Sequence, residues 1–213
     1  VLICYKNRGI ELSSIIENIE RLESSIPSCE TTESLMAIEG NIREWYYKGF
    51  DEILASEDFA FERRSRQPPR NRINALINFG NSLLYVAALR EIYKTHLDPR
   101  IGFLHTTNFR RFSLNLDVTE IFKPVIVDRT IFSIVNKGMI KPSHFEEEAG
   151  GVFLKENGRR IFVEEFDRRL AATINHPELK RNVSYQTLIR LELYKIEKHL
   201  LGEKPYEPFV SRW

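Results

Sequence analysis

Apolar residues recur at helical spacing along most of this chain. Ile10, Ile15, Ile16, Ile19 and Leu22 share one face and predict a helix over residues 9–26, with Pro27 just past its end. Thr31 or Thr32 caps a second helix that runs to about Leu54, with Glu33 in its first turn. Residues 61–72 break the pattern. Pro68 and Pro69 are adjacent and five arginines crowd the segment, which predicts a loosely held connection. The helical pattern returns at Ile73 and continues through Leu76, Ile77, Leu83, Leu84, Ala87 and Ile92, until His96-Leu97-Asp98-Pro99 stops it. Ser113 is placed to cap a helix that ends or kinks near Pro124, and a further stretch reaches Lys137 with Gly138 as its stop. Val152-Phe153-Leu154 and Ile161-Phe162-Val163 flank Asn157-Gly158, a two-residue hairpin signal. A last helix spans 184–201, between Ser184 as cap and Gly202 as stop. The expected class is mainly α, a multi-helix domain with one small β-hairpin near 152–163.

Composition agrees with this class. The chain has 213 residues, 42% apolar and 29% charged, enough to bury a sizeable core. Ten glycines and nine prolines are too few for a turn-rich all-β fold. No apolar run nears the ~18 residues of a membrane span, so no membrane partner is expected. Cys4 and Cys29 lack any paired spacing, which argues against a zinc site or a disulfide framework and for a reducing compartment. The net charge of +1 conceals an asymmetry. Residues 11–60 carry 12 acidic and 3 basic groups, whereas the region after them is net basic, which is compatible with a polyanionic partner.

Three segments carry candidate chemistry. Glu39 falls inside the stripe Leu35, Ile38, Ile42, Trp45 and Tyr46, and Gly40 follows it in mid-helix, where glycine costs about 1 kcal/mol relative to alanine. Two readings stay open: a Glu39–Arg43 pair at i,i+4 beside a packing glycine, or a carboxylate kept for a metal. Asp117 and Glu120, at i and i+3, form a second carboxylate pair, and like charges so placed call for a nearby cation or for solvent. His105 lies in the loop twelve residues before Asp117. Glutamate, histidine and a second carboxylate from three segments make a mixed O/N set suited to Mn²⁺ or Mg²⁺. None of the common nucleotide-binding, zinc-protease, nucleophile-elbow or EF-hand motifs is present.

Four blocks then occur in order. They are Met36-Ala37-Ile38-Glu39-Gly40 with Tyr46-Tyr47; Arg64-Ser65-Arg66-Gln67-Pro68-Pro69 with Asn74-Ala75-Leu76-Ile77; Leu97-Asp98-Pro99 with Gly102-Phe103-Leu104-His105; and Ser113 to Pro124 with Val127-Asp128-Arg129. Together they closely resemble the catalytic helical domain of the CRISPR-associated spacer-acquisition endonuclease and integrase family. The resemblance implies a divalent-metal-dependent enzyme that inserts short foreign DNA into a repeat array by phosphodiester transesterification. It implies Glu39, His105 and Glu120 as metal ligands for Mg²⁺ or Mn²⁺, with Asp117 as a fourth catalytic residue that orients a ligand or binds a second ion. It also implies branched or double-stranded DNA as partner, a homodimer in the intact protein, a small companion adaptation protein, and a prokaryotic cytoplasmic setting. Arg63, Arg64 and Arg66, and also Arg110 and Arg111, are candidate DNA-phosphate contacts. The expected organisation is a connection over 1–8 from an N-terminal β-rich domain lacking here, a helical catalytic domain over 9–202 and a tail over 203–213. A DNA-binding scaffold without activity of its own, and a helical metal hydrolase acting on small phosphates, are the alternatives.

Overall fold

A computed structural model describes residues 1–105 and 112–211 of the chain. Its elements are helices α1 (Leu2–Lys6), α2 (Ser13–Glu23), α3 (Thr32–Leu54), α4 (Arg72–Ile92), α5 (Ser113–Lys123), α6 (Arg129–Asn136), α7 (Glu156–Ala171) and α8 (Tyr185–Leu200). Two short antiparallel hairpins join them, β1 (Phe145–Glu148) with β2 (Gly151–Leu154) and β3 (Thr173–His176) with β4 (Arg181–Ser184). The class is mainly α. The chain divides into two compact units: residues 1–78 with 135–158, and residues 79–134 with 159–212.

In the first unit α2 packs along α3, and α1 reaches both. Thr31 caps α3 by accepting the Ser34 amide, and Ser34 returns the bond to Thr31. The buried part of α3 is its second half. Tyr47, Phe50, Ile53 and Leu54 enter the core, where Tyr47 stacks on Phe61 with ring centroids 4.9 Å apart. The expected stripe from Leu35 to Tyr46 is only half-buried, so Glu39 is no buried charge. The 9–26 helix is shorter than its pattern, starting at Ser13 and passing into a 3₁₀ turn over Ile26–Ser28 that takes in Pro27. Residues 2–6, expected as a connection, form α1.

The hairpin of this unit is not the expected one. Its turn is Ala149-Gly150, both at positive φ (48° and 74°), the geometry a two-residue hairpin demands. Asn157 and Gly158 instead open α7. A Cβ on Gly158 would lie 2.8 Å from Leu154 and 2.9 Å from the His144 carbonyl, so this glycine serves close packing, not a turn. Ile161, Phe162 and Val163 read equally as helix, and the buried Phe162 and Phe166 sit at i,i+4 on α7.

In the second unit the residues of α4 from Phe79 onward pass α7 at Gly80, where an added Cβ would meet Val127 at 2.5 Å and Phe162 at 2.8 Å. α5 and α6 are one helical path interrupted by a π turn over Pro124–Asp128. Pro124 has no amide to give back to the preceding turn, and the wider turn accommodates its ring. Arg169 donates to the Val125 carbonyl at 3.0 Å. α8 begins where expected, with Ser184 accepting the Thr187 amide at 3.1 Å, and Gly202 follows it at φ 73°. The tail folds back, stacking Phe209 on Phe122 at 5.6 Å. No described helix is long and apolar enough to cross a membrane.

Candidate metal centre and nucleic-acid interface

The second unit builds a tight turn around His105. Asp98 hooks the entry, accepting the backbone and side-chain N–H groups of Arg100; those bonds hold its carboxyl down at about 2. Ser113, expected as a helix cap, does something else. Phe112 is the N-cap residue, and the Ser113 hydroxyl accepts the Gly102 amide at 2.9 Å while donating to the Arg100 carbonyl. The serine thus fastens the 100–102 segment to the start of α5.

One turn along α5, Asp117 completes the arrangement. Its Oδ2 accepts the amides of Phe103 at 2.5 Å and Leu104 at 3.1 Å. Its Oδ1 accepts the His105 amide at 3.1 Å and faces His105 Nδ1 at 2.7 Å. The Asp117 side chain is 12% exposed and that of His105 27%, so the pair is sheltered but reachable. A histidine whose one ring nitrogen is held by a carboxylate, leaving the other for a ligand, is the arrangement metal-binding histidines use. Glu120, on the next turn of α5, pairs with Lys123, and both are part-buried.

In the first unit Glu39 pairs with Arg43 on the same helix, with its side chain 38% exposed. Gly40 beside it is exposed, and among the described residues a Cβ there would meet nothing within 4 Å. Among those residues nothing packs against this glycine. Both carboxylates expected as metal ligands thus stand next to a cation of their own helix. Among the described residues no three histidine, cysteine or acidic side chains form a ready-made metal cage. Of the four expected residues, the structure joins His105 directly to Asp117, while Glu39 and Glu120 each face a cation.

The arginine segment is not the loosely held connection its composition suggests. Three asparagines at the start of α4, at i, i+3 and i+7, strap it down. Asn71, just before the helix, donates to the Ala60 and Phe61 carbonyls at 3.2 and 3.0 Å. Asn74 donates to the Arg63 carbonyl and accepts the Ser65 amide. Asn78 donates to the Arg66 carbonyl at 2.7 Å. Pro69 is buried, and its carbonyl accepts the Val152 amide at 2.8 Å. Arg64 turns inward, donating to the Asn74 and Asn78 side chains, and burial pulls its guanidinium below the usual value. Arg64, expected as a DNA contact, is thus engaged by the asparagines of α4 in this structure. Arg63, Arg66 and Arg70 are exposed, and among the described residues Arg63 and Arg66 have no such inward strap. Arg72 pairs with Asp58 at 3.1 Å. Arg110 and Arg111 lie outside the described residues. A polar i, i+3, i+7 row opposite a proline-rich segment is the sequence signal that marks such straps.

The described residues thus give a histidine held by a carboxylate, carboxylates on separate helices, and an arginine loop fastened by asparagines. Comparison with known proteins gives the family. Residues 2–168 match the family described as CRISPR associated protein Cas1, and the chain belongs to it. It is 62% identical over 213 residues to the CRISPR-associated endonuclease Cas1 2 of Thermodesulfovibrio yellowstonii, covering all of this chain and 64% of that protein. Among solved structures it resembles TM1797, a CAS1 protein from Thermotoga maritima, with TM-score 0.85 and 43% identity over 96% of this chain and 62% of that one. A casposase bound to an integration product shares the fold at TM-score 0.80 and 20% identity, over 95% of this chain and 64% of that one. The chain thus spans under two thirds of the length of these relatives.

Proposed function

We propose that this chain is the metal- and DNA-handling part of an endonuclease and integrase that inserts short foreign DNA into a CRISPR repeat array. The observation that carries the reading is His105 held through Nδ1 by Asp117, in a chain 62% and 46% identical to two relatives named CRISPR-associated endonucleases. Glu39, His105 and Glu120 supply two carboxylates and an imidazole, a donor set that fits Mn²⁺ or Mg²⁺. Such an ion, when bound, lowers the pKa of an attacking hydroxyl and offsets charge growing on the phosphate. In the reaction a DNA 3′-hydroxyl oxygen bonds to a backbone phosphorus and loses its proton, while the phosphorus–oxygen bond to the leaving 3′ oxygen breaks and that oxygen gains one. Asp117 holds the His105 ring through Nδ1, which leaves Nε2 for a ligand. Arg63 and Arg66, fixed in place before DNA arrives, pair with phosphates without reading bases. Arg110 and Arg111 take the same role beyond His105. Branched duplex is the substrate, a small companion adaptation protein and a second copy are the partners of the intact protein, and the setting is the prokaryotic cytoplasm.

The test is a labelled branched duplex incubated with the full chain, with and without Mn²⁺. Metal-dependent strand cleavage or joining that disappears in His105→Ala supports the reading. DNA binding with no product under either condition contradicts it and leaves a scaffold role.

A further inference from the structure

Asp117 accepts more hydrogen bonds than a metal ligand has room for. A carboxylate offers about four lone-pair sites. Three consecutive amides, those of Phe103, Leu104 and His105, take three of them, and His105 Nδ1 takes the fourth. Consecutive amides converging on one anion make a nest, and this one encloses the carboxylate that must hold the imidazole. Among the described residues no backbone carbonyl accepts these amides, so removing the carboxylate leaves a run of unsatisfied donors beside the histidine.

Gly102 makes the fit closer still. A Cβ at this position would lie 2.5 Å from Asp117 Oδ2, 2.7 Å from the Ser113 carbonyl carbon and 2.8 Å from the Leu114 amide nitrogen. Two of those three atoms are backbone, so they have little freedom to retreat. Only a glycine lets the turn close onto α5 at the distance the carboxylate requires.

We propose that Asp117 is a positioning residue and not a ligand of this centre: with Gly102 allowing its approach, it fixes His105 in the tautomer that carries hydrogen on Nδ1, so that Nε2 is the nitrogen offered outward. An ionised carboxylate only accepts hydrogen bonds, so Nδ1 must carry the hydrogen. A free neutral imidazole prefers the opposite tautomer, so the preference has to come from the protein. It follows that Asp117 has no lone pair left for a second ion. The role assigned to Nε2 rests on the proposed reading of His105 as a metal ligand; the tautomer does not.

The test uses ¹⁵N-labelled full chain without metal, above the pH range in which histidine titrates. A long-range ¹H–¹⁵N spectrum separates a protonated Nδ1 from a bare Nε2 for each of the five histidines, and His105→Gln identifies the signal. We expect bare Nε2 in the wild type. In Gly102→Ala, which keeps the charge of Asp117 but displaces it, and in Asp117→Asn, the signal should move toward the Nε2–H form. Mn²⁺ affinity should fall roughly 10- to 100-fold in each, the usual effect of losing an outer partner of a ligand. A wild-type spectrum with hydrogen on Nε2 overturns the proposal even if neither variant folds. So does a tautomer unchanged in both folded variants. A bare Nε2 in a chain that binds no Mn²⁺ upholds the positioning role and fails the metal reading alone.

Discussion

His105 and Glu39 present two opposite ways of holding a reactive side chain. The His105 ring is locked from one side by a carboxylate that itself is held by three amides, and the turn beneath it is pinned by Ser113 and Asp98. Glu39 stands on the half-exposed first half of α3, paired with Arg43 one turn on, with a glycine beside it that no other described residue packs against. The first is arranged before any ligand binds. The second is held by the arginine one turn away. The same contrast runs through the arginine loop, where Arg64 is spent on asparagines and Arg63 and Arg66 stay available to a ligand. Preorganised groups fix geometry, and the open ones are left for the ligand.

The largest expected effect breaks both sides of this contrast at once. Replacing Glu39, His105 or Glu120 by alanine should lower the rate of DNA cleavage by about 10³-fold or more, since ion-assisted charge stabilisation is worth several kcal/mol. Circular dichroism and melting should stay near wild type for Glu39→Ala, whose side chain is open. A Glu39→Ala chain with normal cleavage would make the residue a helix-surface charge.

The glycines sharpen the comparison in stability. Gly80→Ala drives a methyl into Val127 and Phe162 and should cost about 1–3 kcal/mol in urea unfolding. Gly40→Ala, in open space on α3, should instead stabilise the fold by about 1 kcal/mol. If it also slows cleavage, the gap left by Gly40 is used by the substrate. Equal effects of the two substitutions would refute the difference in packing.

Within the arginine loop, Arg64→Ala removes donors that Asn74 and Asn78 accept and should destabilise by about 1–3 kcal/mol. Arg63→Ala and Arg66→Ala should leave the melting temperature alone and reduce the log–log salt slope of DNA binding by about 0.9 for each phosphate no longer neutralised. An unchanged slope in the double variant would remove these two residues from the interface.

The smallest effect concerns the cations beside the carboxylates. Lys123→Met removes a positive charge paired with Glu120, so Mn²⁺ should bind several-fold more tightly, as read by calorimetry. Weaker binding would mean that Lys123 supports the centre.

Much of this arrangement is legible in the sequence, and the failures have physical causes. The caps of α3 and α8 and the stop of α8 are readable because Thr31, Ser184 and Gly202 act through local bonds. The four candidate residues are legible through their family blocks, whereas the amides that surround Asp117 leave no mark in residue type. Periodicity overstates the burial of Glu39 because it gives a face, while burial depends on what covers that face. The Asn157-Gly158 signal fails because a glycine needed for close packing looks the same as one needed for a turn. The arginine loop defies its composition because charge and proline content say nothing about the asparagines that hold a segment from a neighbouring helix.

The most direct test of the account is pulsed electron paramagnetic resonance on the chain with one equivalent of Mn²⁺. It predicts one bound ion with a ¹⁴N coupling from a single imidazole, lost in His105→Gln, and weakened occupancy in both Glu39→Ala and Glu120→Ala. A bound ion whose spectrum shows no nitrogen coupling, or one unchanged in His105→Gln, would contradict it.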